Sequence, residues 1–331
     1  MERGLADSPP PYPHGWFAAA FSSDIRPGTI LTRKFMGRDI VVYRTKSGRL
    51  CASEAYCPHL GAHLGHGGRI CGEAIECPFH GFRFGTDGNC VSTPYAGGMP
   101  PPAARLATLP VRECFGMVMV YHGASGEPPW EIEVSADDGG WRPLQKRKLR
   151  FHSHPQEVTE NAVDYGHFGG VHNMGNFGVV TPLTIDGPRL RVTYRADKPV
   201  PITGAVSGCF DIRVDGLGYS IVEVSLNIGW TFRQLVLTTP TVGREVDAFL
   251  AVSVRRSRHR LVSLVLAPLE RAWGRLVLEL IVLELARDRK MWDHKKYLSK
   301  PALAGGDGPI GKYRRWARQF YPELRDGNDA E

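Results

Sequence analysis

Cys57-Pro58-His59-Leu60-Gly61 and Cys77-Pro78-Phe79-His80-Gly81 decide how the first part of this chain is read. Together they spell C-x-H, a gap, then C-x-x-H. Each short stretch offers one thiolate and one imidazole. Four such ligands suit zinc or an iron–sulfur cluster. Zinc sites usually space their ligands C-x₂₋₄-C and H-x₃₋₅-H, an order that Cys57, His59, Cys77 and His80 do not follow, so a structural zinc module is the weaker alternative. Gly61 and Gly81 follow the two pairs and allow each loop to close tightly on its own backbone.

The flanking sequence reads as short strands and turns from Gly15 to about Gly123. Ile40 to Tyr43 is apolar and β-branched, Thr45 to Gly48 is a turn, and Leu50 to Ala52 resumes a strand. Ile70 to Ile75 reads as one short strand. Phe82 to Phe84 leaves the second loop, and Thr86 to Asn89 turns it. Val111 to Phe115 and Met117 to Tyr121 form a hairpin around Gly116. The paired loops at one tip of a small antiparallel β domain resemble the Rieske signature, in which one iron takes two Cys and the other two His. The resemblance assigns Cys57, His59, Cys77 and His80 to a [2Fe–2S] cluster. Ala62 and Phe79 stand where respiratory Rieske proteins carry an extra cysteine pair, so the likeness is to the oxygenase or ferredoxin type.

Length allows two domains, and 42% hydrophobic residues supply cores for both. The net charge of +7 is dispersed and lacks a nucleic-acid motif, which disfavours that partner. The remaining cysteines, Cys51, Cys71, Cys90, Cys114 and Cys209, follow no framework and read as free thiols. MERGLADSPPPYPHG has no apolar signal core, and its Pro9 to Pro13 run suggests an extended, disordered arm. Leu261 to Ala286 is apolar but interrupted by Glu270, Arg271, Arg275, Glu279 and Glu284, too charged to span a bilayer. A cytoplasmic protein is the expectation.

A second chemical stretch runs from Glu160 to His172: E-N-A-V-D-Y-G-H-F-G-G-V-H. Asp164 and His167 stand at i and i+3. Gly169-Gly170 would end a helix and let His172 return toward His167. Two imidazoles and one carboxylate make the facial triad of non-haem Fe(II) oxygenases. His152 and His154, just upstream, are read as structural. The basic run Lys146 to Arg150 reads as a solvated edge strand.

Strand alternation returns between Leu183 and Val254, notably at Arg189 to Tyr194, Tyr219 to Ile228, Arg233 to Thr239 and Val246 to Val254. Successive strands without helices predict an antiparallel meander. A long helix is expected from Pro268 to Leu298, burying Leu269, Trp273, Leu276, Leu280 and Leu283, with Val277 widening the stripe. Near its end Glu284, Asp288 and Asp293 are all candidate carboxylate ligands, and spacing alone does not choose among them. Glu284, Asp293 and His294 also suit a mixed-charge surface.

N-x-x-D-x-x-H-x₄-H behind a Rieske-like domain resembles the catalytic motif of Rieske non-haem iron oxygenases. D-x-x-x-W-x-x-K on the late helix is similar to the ketosteroid 9α-hydroxylase and cholesterol 7-desaturase group, and so is the tail through Trp316 and Tyr321. The resemblance implies an α+β protein: a Rieske domain, then a helix-grip catalytic domain of antiparallel sheet and long helix. The expected boundaries are an arm at 1–13, a Rieske domain at 14–124, a connector at 125–150, a catalytic domain at 151–300 and a tail at 301–331. It implies Fe(II) on His167, His172 and Asp288, and Asp164 as the bridge carrying electrons from a neighbouring subunit's cluster in a homotrimer. It implies an NAD(P)H-dependent oxygenase, served by a ferredoxin or flavin reductase, that uses O₂ to hydroxylate or desaturate a bulky sterol, ketosteroid or polyketide. The alternatives are an oxygenase for a small aromatic acid or methyl ether, and a Rieske electron carrier without oxygenase activity.

Overall fold

The computed structural model describes residues 12–95, 99–124, 127–134, 139–200, 204–257 and 260–322. The expected N-terminal arm lies almost wholly outside these residues, as does part of the expected connector. The chain forms two compact units. One comprises residues 16–129 and 241–243; the other comprises the rest.

The first unit is built from antiparallel strands. β1 (Gly15–Phe21), β2 (Ile30–Phe35), β3 (Arg38–Arg44), β4 (Leu50–Glu54), β5 (Arg69–Cys71) and β6 (Ala74–Glu76) are followed by β7 (Arg83–Phe84), β8 (Cys90–Ser92), β9 (Thr108–Leu109), β10 (Val111–Cys114) and β11 (Met117–His122). They pair in the orders β2-β3-β4-β9, β5-β6-β7-β8 and β1-β11-β10. Ile40 to Tyr43 is buried on both faces, as an uninterrupted apolar run requires. The stretch from Ile70 to Ile75 is two strands, not one. Gly72 takes φ +62° and turns β5 directly into β6. At the β10–β11 hairpin both Phe115 (φ +45°) and Gly116 (φ +69°) are left-handed, the conformation that two-residue hairpin turns need. This unit's core gathers Val41, Tyr43, Leu64, Ile75, Phe84 and Leu106 behind the two Cys-His loops.

In the second unit β12 (Gln145–His152) is followed by α1 (Pro155–Glu160) and α2 (Tyr165–Gly170). Six consecutive strands come next: β13 (Gly175–Asp186), β14 (Arg189–Val200), β15 (Gly204–Asp215), β16 (Tyr219–Leu226), β17 (Thr231–Pro240) and β18 (Glu245–Val254). The unit ends with α3 (Arg260–Trp292) and α4 (Ile310–Ala317). One sheet runs β12-β18-β17-β16-β15-β14-β13, a meander whose far edge is closed by the earlier strand. The basic run Lys146 to Arg150 lies on that edge. Its Lys148 and Arg150 pair with Asp247 on β18 at 2.7 and 2.8 Å. Along β14, Leu190, Val192, Tyr194 and Ala196 are buried while Arg191 and Arg195 face out, the period-2 signature of a half-buried sheet.

α3 packs on this sheet, with Trp292 stacked on Phe151 of β12 at 5.5 Å. The helix starts eight residues earlier and ends six earlier than the expected Pro268 to Leu298, and it carries Pro268 inside. Its inward face also differs from expectation. Leu269, Leu276, Leu280 and Leu283 are exposed, while Glu270, Val277, Leu278, Leu285, Asp288 and Trp292 are buried. Acids occupy the inner face because they have partners there. Glu270, for example, holds Arg142 in a buried ion pair. Residues expected in a C-terminal tail supply core: Tyr313 and Trp316 of α4 are buried, and the Tyr313 hydroxyl donates to the Gln156 carbonyl at 2.7 Å. Nearby, the His14 backbone N–H donates to the Phe320 carbonyl at 2.8 Å.

Candidate active site and metal centres

The two Cys-His loops are made by the same pair of backbone bonds. Cys57 N–H donates to Ala62 O at 2.8 Å and Cys77 N–H to Phe82 O at 2.8 Å. Gly61 N–H returns to Cys57 O at 3.0 Å and Gly81 N–H to Cys77 O at 3.1 Å. Gly61 (φ +74°) and Gly81 (φ +69°) both adopt the left-handed backbone that this closure needs. The His59 and His80 ring centroids stand 4.7 Å apart, and His59 lies flat on Phe82 at 4.4 Å.

The chemistry of these four side chains fits a cluster. Nδ1 of His59 and Nδ1 of His80 are both buried without a hydrogen-bond partner. Two such orphaned atoms in one small volume are costly unless something else binds them. Cys57 and Cys77 are buried free thiols. Burial, with Cys77 alongside, pushes the Cys57 thiol up to about 11. A metal in contact would deprotonate it. Two thiols and two buried, unpartnered Nδ1 atoms are the donor set of a [2Fe–2S] centre with mixed ligation.

The second constellation starts at α2. The Asp164 side chain caps this helix, accepting the His167 backbone N–H at 3.2 Å. The His167 ring Nδ1 donates in turn to the Asp164 carbonyl. That bond selects the tautomer whose Nε2 lone pair is free for a metal. After Gly170 the chain turns back, with Val171 N–H on His167 O at 2.8 Å and Met174 N–H on Phe168 O at 2.9 Å. The turn brings the His172 ring to 5.0 Å from the His167 ring. From α3, Asp288 Oδ1 lies 3.2 Å from His172 Nε2. One ligand atom from each of His167, His172 and Asp288 lies within 4.8 Å of the others. Burial pulls the His167 pKa down, with Asp164 opposing only in part. Burial also acts downward on His172, but Asp288 and Glu284 outweigh it and hold that imidazole above its usual value.

These side chains sit at the wall of a cavity of about 570 Å³ within the second unit. Phe168, Tyr194, Val224, Phe232, Trp273 and Ile281 make most of it apolar. Asn161, Lys198, Gln234 and Glu284 are among its few polar groups.

The structure separates the three candidate carboxylates. Asp293 pairs with Arg289 at 3.1 Å and His294 is exposed, so both lie outside the constellation. Glu284, which also suited a charged surface, faces inward and accepts from His172 Nδ1 at 2.8 Å. Asp288 takes the Nε2 edge of the same ring. The spacing from Glu284 to Asp288 is i, i+4, a signal that both share one helix face. Lys198, which the sequence did not single out, donates to Glu284 at 2.9 Å and also to the His172 carbonyl. No local pattern marks it, since it comes from β14. His154 is buried and caps α1, its Nδ1 accepting the Gln156 N–H at 3.1 Å, whereas His152 is exposed.

Residues 15–110 match the Rieske [2Fe-2S] domain, and residues 120–321 match the 3-ketosteroid 9α-hydroxylase C-terminal domain. The cholesterol 7-desaturase of Drosophila melanogaster is 30% identical, across 96% of this chain and 77% of that protein. The probable oxygenase component of 3-ketosteroid-9-alpha-monooxygenase from Rhodococcus rhodochrous is 29% identical, across 96% and 82%. Among solved structures, NdmA of Pseudomonas putida CBB5 superposes with a TM-score of 0.73 at 19% identity, covering 96% of this chain and 93% of that one. Dicamba monooxygenase bound to dicamba gives 0.68 at 17%, covering 95% and 98%, and these two establish the shared fold. The cofactors are those of the family, a [2Fe–2S] cluster and a mononuclear iron, with O₂ as co-substrate. With a cluster-binding domain followed by this C-terminal domain over almost its whole length, the chain belongs to the Rieske non-haem iron oxygenases, in the group of the ketosteroid 9α-hydroxylases and cholesterol 7-desaturases.

Proposed function

We propose that this chain is the terminal oxygenase that hydroxylates or desaturates a bulky, apolar, steroid-like ring compound. The observation that carries the reading is the apolar cavity of about 570 Å³ whose wall includes His167, His172 and Asp288. Its size falls in the range of small-molecule sites, and its lining suits a rigid hydrocarbon skeleton. Relatives named for cholesterol and 3-ketosteroids support the same class.

In this reading Cys57, His59, Cys77 and His80 hold the cluster, and His167, His172 and Asp288 hold Fe(II) on one face. When bound, the two centres would supply electron transfer and O₂ activation. The protein contributes placement. The Asp164 carbonyl keeps the His167 proton on Nδ1. The aromatic and aliphatic walls hold the substrate and exclude water. The Asp164 carboxylate keeps about a third of its surface exposed, which leaves it accessible to a cluster histidine of a neighbouring subunit. A homotrimer, reduction by a ferredoxin or flavin reductase drawing on NAD(P)H, and a cytoplasmic location complete the proposal. No helix among the described residues is long and apolar enough to cross a membrane.

A small aromatic acid would call for a cationic anchor. The lysine at the cavity wall, Lys198, is already bonded to Glu284 and the His172 carbonyl. The test is a panel of sterols, 3-ketosteroids, aromatic acids and methyl ethers with a surrogate ferredoxin, reductase and NADH. A steroid product that gains one oxygen or loses two hydrogens is expected. Turnover of aromatic acids alone would overturn the reading.

A further inference from the structure

His172 is held from two sides by residues outside the triad. Glu284 Oε2 accepts from its ring Nδ1 at 2.8 Å, and Lys198 Nζ donates to its backbone carbonyl. Lys198 also donates to Glu284 Oε1 at 2.9 Å, so the three residues close a ring of hydrogen bonds. Arg287, one turn along α3, reaches the same carboxylate at 3.0 Å. Three separate segments are tied here: the turn after α2, strand β14 and helix α3. The two nitrogens of an imidazole point in divergent directions. Glu284 on the Nδ1 edge therefore cannot share a metal with Asp288 on the Nε2 edge.

We propose that Glu284 is a positioning residue for the iron site: it keeps the His172 proton on Nδ1 and aims Nε2 at the metal. The inference rests on the His167–His172–Asp288 reading given above. Without an acceptor on Nδ1, the ring could rotate or carry its proton on Nε2, and that form cannot bind a metal. Carboxylates behind a ligating histidine also raise its basicity, and losing them typically weakens metal binding about 10–100-fold. Lys198 and Arg287 keep the Glu284 carboxylate in place and compensate its charge in a mostly apolar wall.

The test uses the full-length holoprotein, with Fe(II) as the probe. Retention of mononuclear Fe(II) is measured against a chelator, together with the electron paramagnetic resonance spectrum of its nitric oxide adduct. Glu284→Ala is expected to weaken Fe(II) retention about 10–100-fold and alter the adduct spectrum, with the cluster's visible spectrum unchanged. Glu284→Gln should recover most of the affinity, because its amide oxygen still accepts from Nδ1–H. Should Glu284→Ala not accumulate as folded protein, Glu284→Ser reads the same loss. Asp288→Ala is the control for the underlying reading. If it loses iron while Glu284→Ala binds as tightly as the parent, the positioning role is wrong and the triad stands. If Glu284→Gln is as weak as Glu284→Ala, charge and not the accepted proton is what matters, which also overturns the role. If Asp288→Ala keeps its iron, the triad reading falls and this inference falls with it.

Discussion

Asp164 accepts the His167 backbone N–H at 3.2 Å through its side chain and the His167 ring proton through its own carbonyl. One residue therefore caps α2 and orients a candidate ligand, and the two jobs use different atoms. Asn is as good a cap as Asp but carries no charge. Asp164→Asn should keep both metals and the melting temperature, yet slow oxidation of the reduced cluster by O₂ with substrate present. Asp164→Ala should do the same and also cost about 1 kcal/mol of stability through the lost cap. Stopped-flow reoxidation and thermal melts separate the two effects. Fast reoxidation in Asp164→Asn would remove the residue from the electron path.

Asp288→Ala should lower iron content by about one per chain and abolish turnover, while the visible spectrum of the cluster persists. Iron analysis set against acid-labile sulfide reads this directly. Retained turnover would take Asp288 out of the triad.

The glycines that close the two Cys-His loops differ in their surroundings. Both are left-handed, so an Ala at either costs about 1 kcal/mol. A Cβ on Gly61 meets nothing within 4 Å, whereas one on Gly81 comes to 2.9 Å from Pro94 Cγ. Gly81→Ala should therefore lose its cluster at a lower temperature than Gly61→Ala, followed by the visible absorbance on heating. Equal losses would show that Pro94 moves freely aside.

Asp247 is buried between β18 and β12, and burial alone would raise its pKa. Arg150 and Lys148 outweigh burial and hold it below the ordinary carboxylate range. Its folded value thus lies below its unfolded value of about 3.9. The stabilisation is fully present above that unfolded value and is lost as pH falls through the folded one. Asp247→Asn should destabilise the protein by about 1–2 kcal/mol at neutral pH, since both partners are partly exposed. The difference from the parent should shrink below about pH 4. A gap that stays constant from pH 7 to pH 3 would argue against the ion pairs.

The geometry of the Cys-His loops and of the histidine turn was legible because each is a short contiguous stretch. Cys57 with His59, or His167 with His172, meet through local backbone bonds that glycine spacing announces. Strands β14, β16, β17 and β18 were legible for the same reason, since alternation is a local property, whereas β13 and β15 were not among the stretches it marked. The inner face of α3 was not. Glu270 and Glu284 face inward because Arg142 and His172 await them, and each partner is over a hundred residues away in the chain. Apolar spacing points instead to Leu276 and Leu283, which the structure leaves exposed. Asp288 was reached through family resemblance and not through the helix pattern. Ile70 to Ile75 misled in the opposite way, because its Gly72 turn is too tight to interrupt an apolar-looking run.

The bond from His14 to Phe320 has a bearing on how the molecule is made. Residues near 14 leave the ribosome roughly 300 residues before the carbonyl they bind, and chains fold from the N-terminus as they emerge. The intervening cluster-binding unit can therefore mature while the catalytic unit still lacks α3, α4 and Phe320. Iron–sulfur insertion into the first unit therefore need not wait for α3, the helix that brings Asp288, to be made.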